Sequence, residues 1–132
     1  MRPERKVIAP PASGLDEART FNQPRSMVVR GGEFVFVSGL TAVDPATGAR
    51  VPGTTTTETR QILANMAQLL EAAGSSMAKV VKVNVLLHSM LEAPNMNEVY
   101  AKFFPDDPPA RTVCGARLPD GVKVMIECTA LA

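Results

Sequence analysis

Between Thr55 and Gly74 the residues Ile62, Met66, Leu69, Leu70 and Ala73 recur at i, i+4, i+7, i+8 and i+11, one apolar stripe at the helical period. Thr55 with Glu58 three residues on forms a capping-box pattern, and Gly74 stops the stripe, so the spacing predicts a helix beginning near Thr56. Val80 to His88 alternates instead. Val81, Val83, Val85 and Leu87 fall on one face, and Lys82, Asn84, Leu86 and His88 on the other. The continuous apolar content predicts a central strand. A shorter helix follows, with Asn95 and Glu98 as its cap and Met96, Val99, Tyr100 and Phe103 as its buried stripe; Pro105 ends it.

Earlier in the chain, Ser26–Val29 and Phe34–Val37 read as two strands around Gly31-Gly32, a hairpin signal. Asp44-Pro45-Ala46-Thr47-Gly48 is a turn. Residues 1–24, rich in proline, alanine and charge, read as an irregular surface arm. Near the end, Pro108-Pro109 precede a strand that starts at Ala110-Arg111-Thr112, and Leu118-Pro119-Asp120-Gly121 is followed by a strand carrying Glu127. These two are predicted to form a terminal β-hairpin. The order hairpin, helix, strand, helix, hairpin gives a single α+β domain over residues 1–132, with both helices on one face of the sheet. The other face keeps valine, leucine, methionine and isoleucine, with no segment left to cover it. It is expected to meet further copies of the chain, with ligand clefts where subunits join.

Composition narrows the function classes. A net charge of +1 gives no field for nucleic acid or an anionic membrane, and five Phe, one Tyr and no Trp make base-stacking platforms hard to build. No apolar run is long enough for a membrane span, and the start, Met-Arg-Pro-Glu-Arg-Lys, is not a secretory signal. Cys114 and Cys128 are therefore read as reduced thiols in a cytoplasmic protein. With one His and two Cys at no metal-ligand spacing, no metal is expected. Arg111, a fork of donors at the first residues of a stiffened strand, suits a carboxylate or phosphate, or else a surface ion pair. Cys114 could be called a nucleophile, but its one conceivable base, His88, lies on another strand; it reads as a buried, inert thiol.

Several segments in register resemble one family. Phe34-Val35-Phe36-Val37-Ser38-Gly39, Asp44-Pro45-x-Thr47-Gly48, Thr59-Arg60-Gln61 with Asn65, Leu70-Glu71-Ala72-Ala73-Gly74-Ser75, Val80-Val81-Lys82, Asn97-Glu98-Val99-Tyr100, Pro109-Ala110-Arg111-Thr112 and Arg117-Leu118-Pro119-x-Gly121 are similar to the Rid family, the YjgF-type reactive-intermediate deaminases. The resemblance runs from about residue 24 to the C-terminus. It implies a chorismate-mutase-like fold assembled as a homotrimeric barrel with clefts between subunits. The implied activity is cofactor-free hydrolysis of 2-aminoacrylate-type enamines and imines to 2-keto acids and ammonia. Arg111 would clamp the substrate carboxylate. Ser38 and Gly39 would contact the substrate, with Asn97 and Tyr100 lining or buttressing the cleft and Cys114 counted among its residues. The same family carries the older description endoribonuclease L-PSP, for which this chain offers no histidine pair, basic groove or aromatic platform.

Three departures bear on the chemistry. The family pattern Glu-Ile-Glu, whose first acid is credited with holding the attacking water, reads Met125-Ile126-Glu127 here. The two positions share a strand face about 6–7 Å apart. The segment between Arg111 and Leu118 is one residue shorter than usual, and a slip of register could carry Glu127 toward the empty position or away from it. The usual Gly-Pro-Tyr-Ser entry reads Gln23-Pro24-Arg25-Ser26; Arg25 is either a solvated arm residue or a second cation at the cleft mouth, suited to a ligand with two carboxylates. Two functions follow. The first is a deaminase in which Glu127 is a displaced water-holder beside Arg111. The second is a non-catalytic trimer that binds a small carboxylate.

Overall fold

The computed structural model describes residues 4–132. Six strands form one sheet: β1 (Arg5–Ile8), β2 (Val28–Gly31), β3 (Phe34–Leu40), β4 (Val80–Leu87), β5 (Ala110–Gly115) and β6 (Val124–Leu131), in the spatial order β1-β2-β3-β6-β4-β5. Helices α1 (Glu17–Thr20), α2 (Thr55–Ala72) and α3 (Ala93–Phe103) join them. The α+β sheet with its two long helices on one face is as the patterning predicts.

The long helix α2 starts one residue earlier than the capping pattern suggested. Thr54 is its cap, accepting from the Thr57 N–H at 3.1 Å while Thr57 Oγ1 accepts from the Thr54 N–H at 2.9 Å. Its stripe Ile62, Met66, Leu69, Leu70 and Ala73 is buried against the sheet. Buried Asn65, within the stripe, and partly buried Gln61, just before it, are tied together. Asn65 Nδ2 donates to the Val43 carbonyl at 2.9 Å, and Gln61 Nε2 donates to Asn65 Oδ1, which pins the 41–50 turn to the helix. In α3, Met96, Val99 and Tyr100 are buried; the helix opens on Ala93-Pro94 without a side-chain cap, and Asn95 instead donates to Glu92 Oε1.

The terminal hairpin does not form. β6 enters between β3 and β4, antiparallel to both, and β5 pairs parallel with β4 at the sheet edge. β4, α3 and β5 form a strand–helix–strand crossover, the connection that parallel neighbours require. The linking residues 116–123 must therefore pass β4 rather than make a tight turn. The arm also departs from the irregular reading. Arg5–Ile8 adds an edge strand to β2, and buried Glu17 ties α1 to the end of β3. Both Glu17 carboxylate oxygens accept the Thr41 N–H at 3.1 Å, and Oε1 also accepts the Thr41 hydroxyl. Burial pushes this carboxyl above its ordinary value, and the Thr41 bonds oppose that rise.

Alternation on β4 is broken once. Val80 pairs with Ala130 and Lys82 with Thr129, so Val81 is an extra residue, a bulge. Val80, Val83, Val85 and Leu87 are buried, while Val81 is 38% exposed rather than sharing their face. On the open side, Phe34, Phe36 and Leu131 are 42%, 46% and 44% exposed.

Candidate functional site

Val37 pairs with Cys128 and Leu40 with Ile126. Ser38 and Gly39 together therefore oppose the single residue Glu127, a bulge that bends β3 and aims both toward the open face. The Ser38 N–H donates to the Met27 carbonyl at 2.8 Å, which fixes the bulge from the β2 side. Glu127 Oε1 accepts from Asn84 Nδ2 at 2.8 Å, and neighbouring Lys82 Nζ donates to Thr112 Oγ1 at 2.9 Å. Ser26, Ser38, Lys82, Asn84, Glu127 and Thr129 line a concavity of about 250 Å³. Lys82 and Asn84 were legible only as the polar side of an apolar strand; the sequence reading gave them no role.

Met125 sits on the same open face, two residues before Glu127, and β6 runs from Val124 to Leu131 in unbroken alternation. Met125 and Glu127 therefore both face the open side, with Ile126 between them turned into the core. A Cβ at Gly39 would come within 3.0 Å of Met125 Sδ. The thioether fills the space beside the bulge, and only glycine fits at 39 without a shift.

Arg25 is half-buried rather than solvated. Its Nη1 donates to the Gly39 carbonyl at 2.8 Å and its Nε to Gln23 Oε1 at 2.8 Å. The bulge thus gathers Arg25, Ser38, Gly39, Met125 and Glu127.

Arg111 belongs to a different place. It is paired in register with Val83, whose side chain is buried beneath the helices, so Arg111 rises on the helix side of edge strand β5. There Nη1 donates to Asn97 Oδ1 at 2.8 Å, and the guanidinium carbon lies 4.8 Å from the centre of the Tyr100 ring. Both anchors are neutral and come from one face of α3, a cation–π contact and a side-chain amide. Burial pushes the Tyr100 phenol up to about 12, against the opposing pull of Arg111; at neutral pH it is an uncharged platform. Arg111 is exposed, and among the described residues its guanidinium makes one hydrogen bond, to Asn97.

Cys114 corrects another expectation. It is exposed, not buried, on the open side of β5, while Cys128 is the buried thiol; both are free. His88 closes β4 with its N–H donated to the Lys123 carbonyl, exposed and in no catalytic arrangement. Among the described residues no group of three His, Cys, Asp or Glu is placed to hold a metal ion, and no helix is long and apolar enough to cross a membrane.

The sequence-predicted residues thus fall into two groups on opposite faces of one sheet. Arg111, Asn97 and Tyr100 stand on the helix side, and Ser38, Gly39, Arg25 and Glu127 gather around the bulge on the other.

The same fold occurs in known proteins. RidA from the Antarctic bacterium Psychrobacter superposes with a TM-score of 0.85 at 29% identity, over 96% of this chain and 99% of that one. A Rid protein from Yersinia pestis, YyfA, superposes with a TM-score of 0.83 at 29% identity, over 98% and 100%. By sequence, a RutC family protein of Pyrococcus horikoshii is 43% identical over 108 residues, 81% of this chain and 86% of that protein. The 2-iminobutanoate/2-iminopropanoate deaminase of Mus musculus is 38% identical over 109 residues, 82% and 81% of the two chains. The sequence model of the endoribonuclease L-PSP family matches residues 17–132. The chain belongs to that family, the Rid/YjgF proteins.

Proposed function

We propose that the protein is a cofactor-free hydrolase of small 2-imino and 2-enamino carboxylates, and that its site is shared between two copies of the chain. The observation that carries this reading is the placement of Arg111. A guanidinium held by Asn97 and the Tyr100 ring, in no ion pair among the described residues, is prepared to take a substrate carboxylate bidentately. A single chain cannot bring it to Ser38 and Glu127, because the sheet lies between them. An exposed edge strand and an exposed apolar face both invite a second copy, and a homotrimer in which Arg111 of one chain faces the bulge of the next satisfies both.

The chemistry asked of the residues is modest. An enamine tautomerises to its imine, whose carbon is already electrophilic. Water adds there, the C–N bond of the tetrahedral adduct breaks, and the products are a 2-keto acid and ammonia, with atoms balanced by the one water. Arg111 fixes the carboxylate, so the reaction gains mainly from positioning. Glu127, oriented by Asn84, takes the proton from the attacking water, and Ser38 contacts the substrate. One observation favours the second reading, a trimer that binds small carboxylates without turnover: a thioether, not an acid, packs against Gly39. The similar mouse protein bears the name of a 2-iminobutanoate/2-iminopropanoate deaminase, which supports the first.

Coupling the protein to a dehydratase that generates 2-aminoacrylate, and following pyruvate or ammonia, separates the readings. Hydrolysis should fall at least about a hundredfold in Arg111→Ala and in Glu127→Gln. Co-refolding those two variants should restore part of the activity, since mixed assemblies contain clefts with both groups intact. Arg111-dependent binding of 2-oxobutyrate without turnover establishes the binder. Absence of any effect of Arg111→Ala on either overturns both.

A further inference from the structure

Resting on the assignment of Arg111 as the clamp for the substrate's 2-carboxylate, we propose that Arg25 receives a second carboxylate, so that the cleft selects four- and five-carbon 2-imino dicarboxylates over 2-imino acids with alkyl side chains. Arg25 is held at the Ser38–Gly39 bulge by two short bonds, Nη1 to the Gly39 carbonyl and Nε to Gln23 Oε1, each 2.8 Å. Both acceptors are neutral, so the orientation is fixed without a direct ion pair, and Glu17 feels the charge only at longer range. Two of the five N–H groups are used, and three remain for an anion.

Buried Glu17 is drawn toward Arg25 electrostatically but makes no hydrogen bond to it. Glu17 spends its oxygens on the backbone and hydroxyl of Thr41, and among the described residues the one ion pair within 4.0 Å joins Lys123 to Glu58. Arg111 follows the same plan on the far side of the sheet, with an amide oxygen and an aromatic ring as anchors. Two preset guanidinium groups, neither in an ion pair among the described residues, match the charge of a dianion. Met125 adds to this, because the side chain against Gly39 contributes no negative charge next to Arg25. An alkyl side chain brought against Arg25 would strip water from the cation and return nothing, which penalises monocarboxylates.

Titration calorimetry with two product-like probes tests this: 2-oxoglutarate for the dicarboxylates and 2-oxobutyrate for the monocarboxylates. The wild-type protein should bind 2-oxoglutarate at least about tenfold more tightly. Arg25→Gln should erase that preference while leaving 2-oxobutyrate within about twofold, and Arg25→Lys, which keeps the charge but not the fork, should retain part of it. Equal or better binding of 2-oxobutyrate by the wild type overturns the proposal without any variant, whatever Arg25→Gln does to folding. So does a loss in Arg25→Gln that is the same for both probes. Arg111→Ala should lose both ligands; if it loses neither, the clamp assignment fails, an outcome distinct from a failure of Arg25.

Discussion

On β6, Val124, Ile126, Cys128 and Ala130 turn toward the helices and are buried, whereas Met125, Glu127, Thr129 and Leu131 turn to the open side and stay partly or wholly exposed. The same eight residues thus serve two masters. The helix-covered face is apolar and closed by Ile62, Leu63, Met66 and Leu69 of α2. The open face is mixed: aromatic at Phe34 and Phe36, charged at Lys82 and Glu127, and broken by two bulges, at Val81 and at Ser38–Gly39. Burying apolar area stabilises a single chain. A face that instead holds polar groups in fixed positions, beside apolar ones left exposed among the described residues, fits an interface that carries chemistry. The difference teaches where substitutions should act: on one side through folding, on the other through assembly and ligand.

The sharpest way to break that contrast is a pair of substitutions on neighbouring strands. Ile126 is fully buried, and Ile126→Ala should cost about 2–5 kcal/mol through lost transfer energy and a residual cavity. Calorimetry should show that loss at every protein concentration. Phe36→Ser removes an exposed ring, so its effect should appear in sedimentation as weakened assembly, and in the thermal midpoint only in proportion to concentration. Equal, concentration-independent losses from both would mean that the two faces do the same work.

The pH dependence sharpens it further. Burial pushes the Cys128 thiol up to about 12 from 9.0, with nearby Glu127 adding to the rise, and burial likewise raises the Tyr100 phenol to about 12 from 10.0. Each group holds its proton more tightly folded than unfolded. The stability this contributes is complete below about pH 9 and is lost as pH climbs toward 12, on the order of a few kcal/mol in all. Thermal midpoints measured across that range should therefore fall steeply. Cys128→Ala should flatten the lower part of the fall. Parallel slopes for the wild type and Cys128→Ala would mean that burial on the helix side does not set this dependence.

The covered face was the more legible of the two. The stripe of α2 and the inward residues of β4 obey simple periods, and only the bulge at Val81 broke the count, because a bulge depends on the partner strand. The position of β5 departs from the terminal hairpin that the turn chemistry predicts. Leu118-Pro119-Asp120-Gly121 has turn chemistry, but residues 116–123 are long for a tight hairpin, while strand, helix α3 and strand in succession demand parallel neighbours. Arg111 could be named from its motif, yet which side of the sheet it occupies follows only from its register with Val83. Arg5–Ile8 escaped notice because so short and charged a run acquires strand structure only by pairing with β2, and buried Glu17 because its partner, Thr41, lies far along the chain.

Met125 decides how the open face performs its chemistry. The thioether packs beside Gly39, and Glu127, two residues on, lies about 6–7 Å farther along the same face. Glutamate is close to methionine in length, so Met125→Glu can place a carboxylate against the Ser38–Gly39 bulge with little repacking. It should raise 2-aminoacrylate hydrolysis about tenfold, roughly 1.4 kcal/mol off the barrier, and weaken the binding of keto acids, since a negative charge then sits near Arg25. The double variant Met125→Glu with Glu127→Gln shows which position holds the water. If its turnover matches that of Met125→Glu alone, the acid belongs beside Gly39, and the wild-type chain works with a displaced base or only binds. If the double variant is as inactive as Glu127→Gln, then Glu127 oriented by Asn84 is the base in its own right, and the methionine beside the bulge shapes the cleft without taking part in proton transfer.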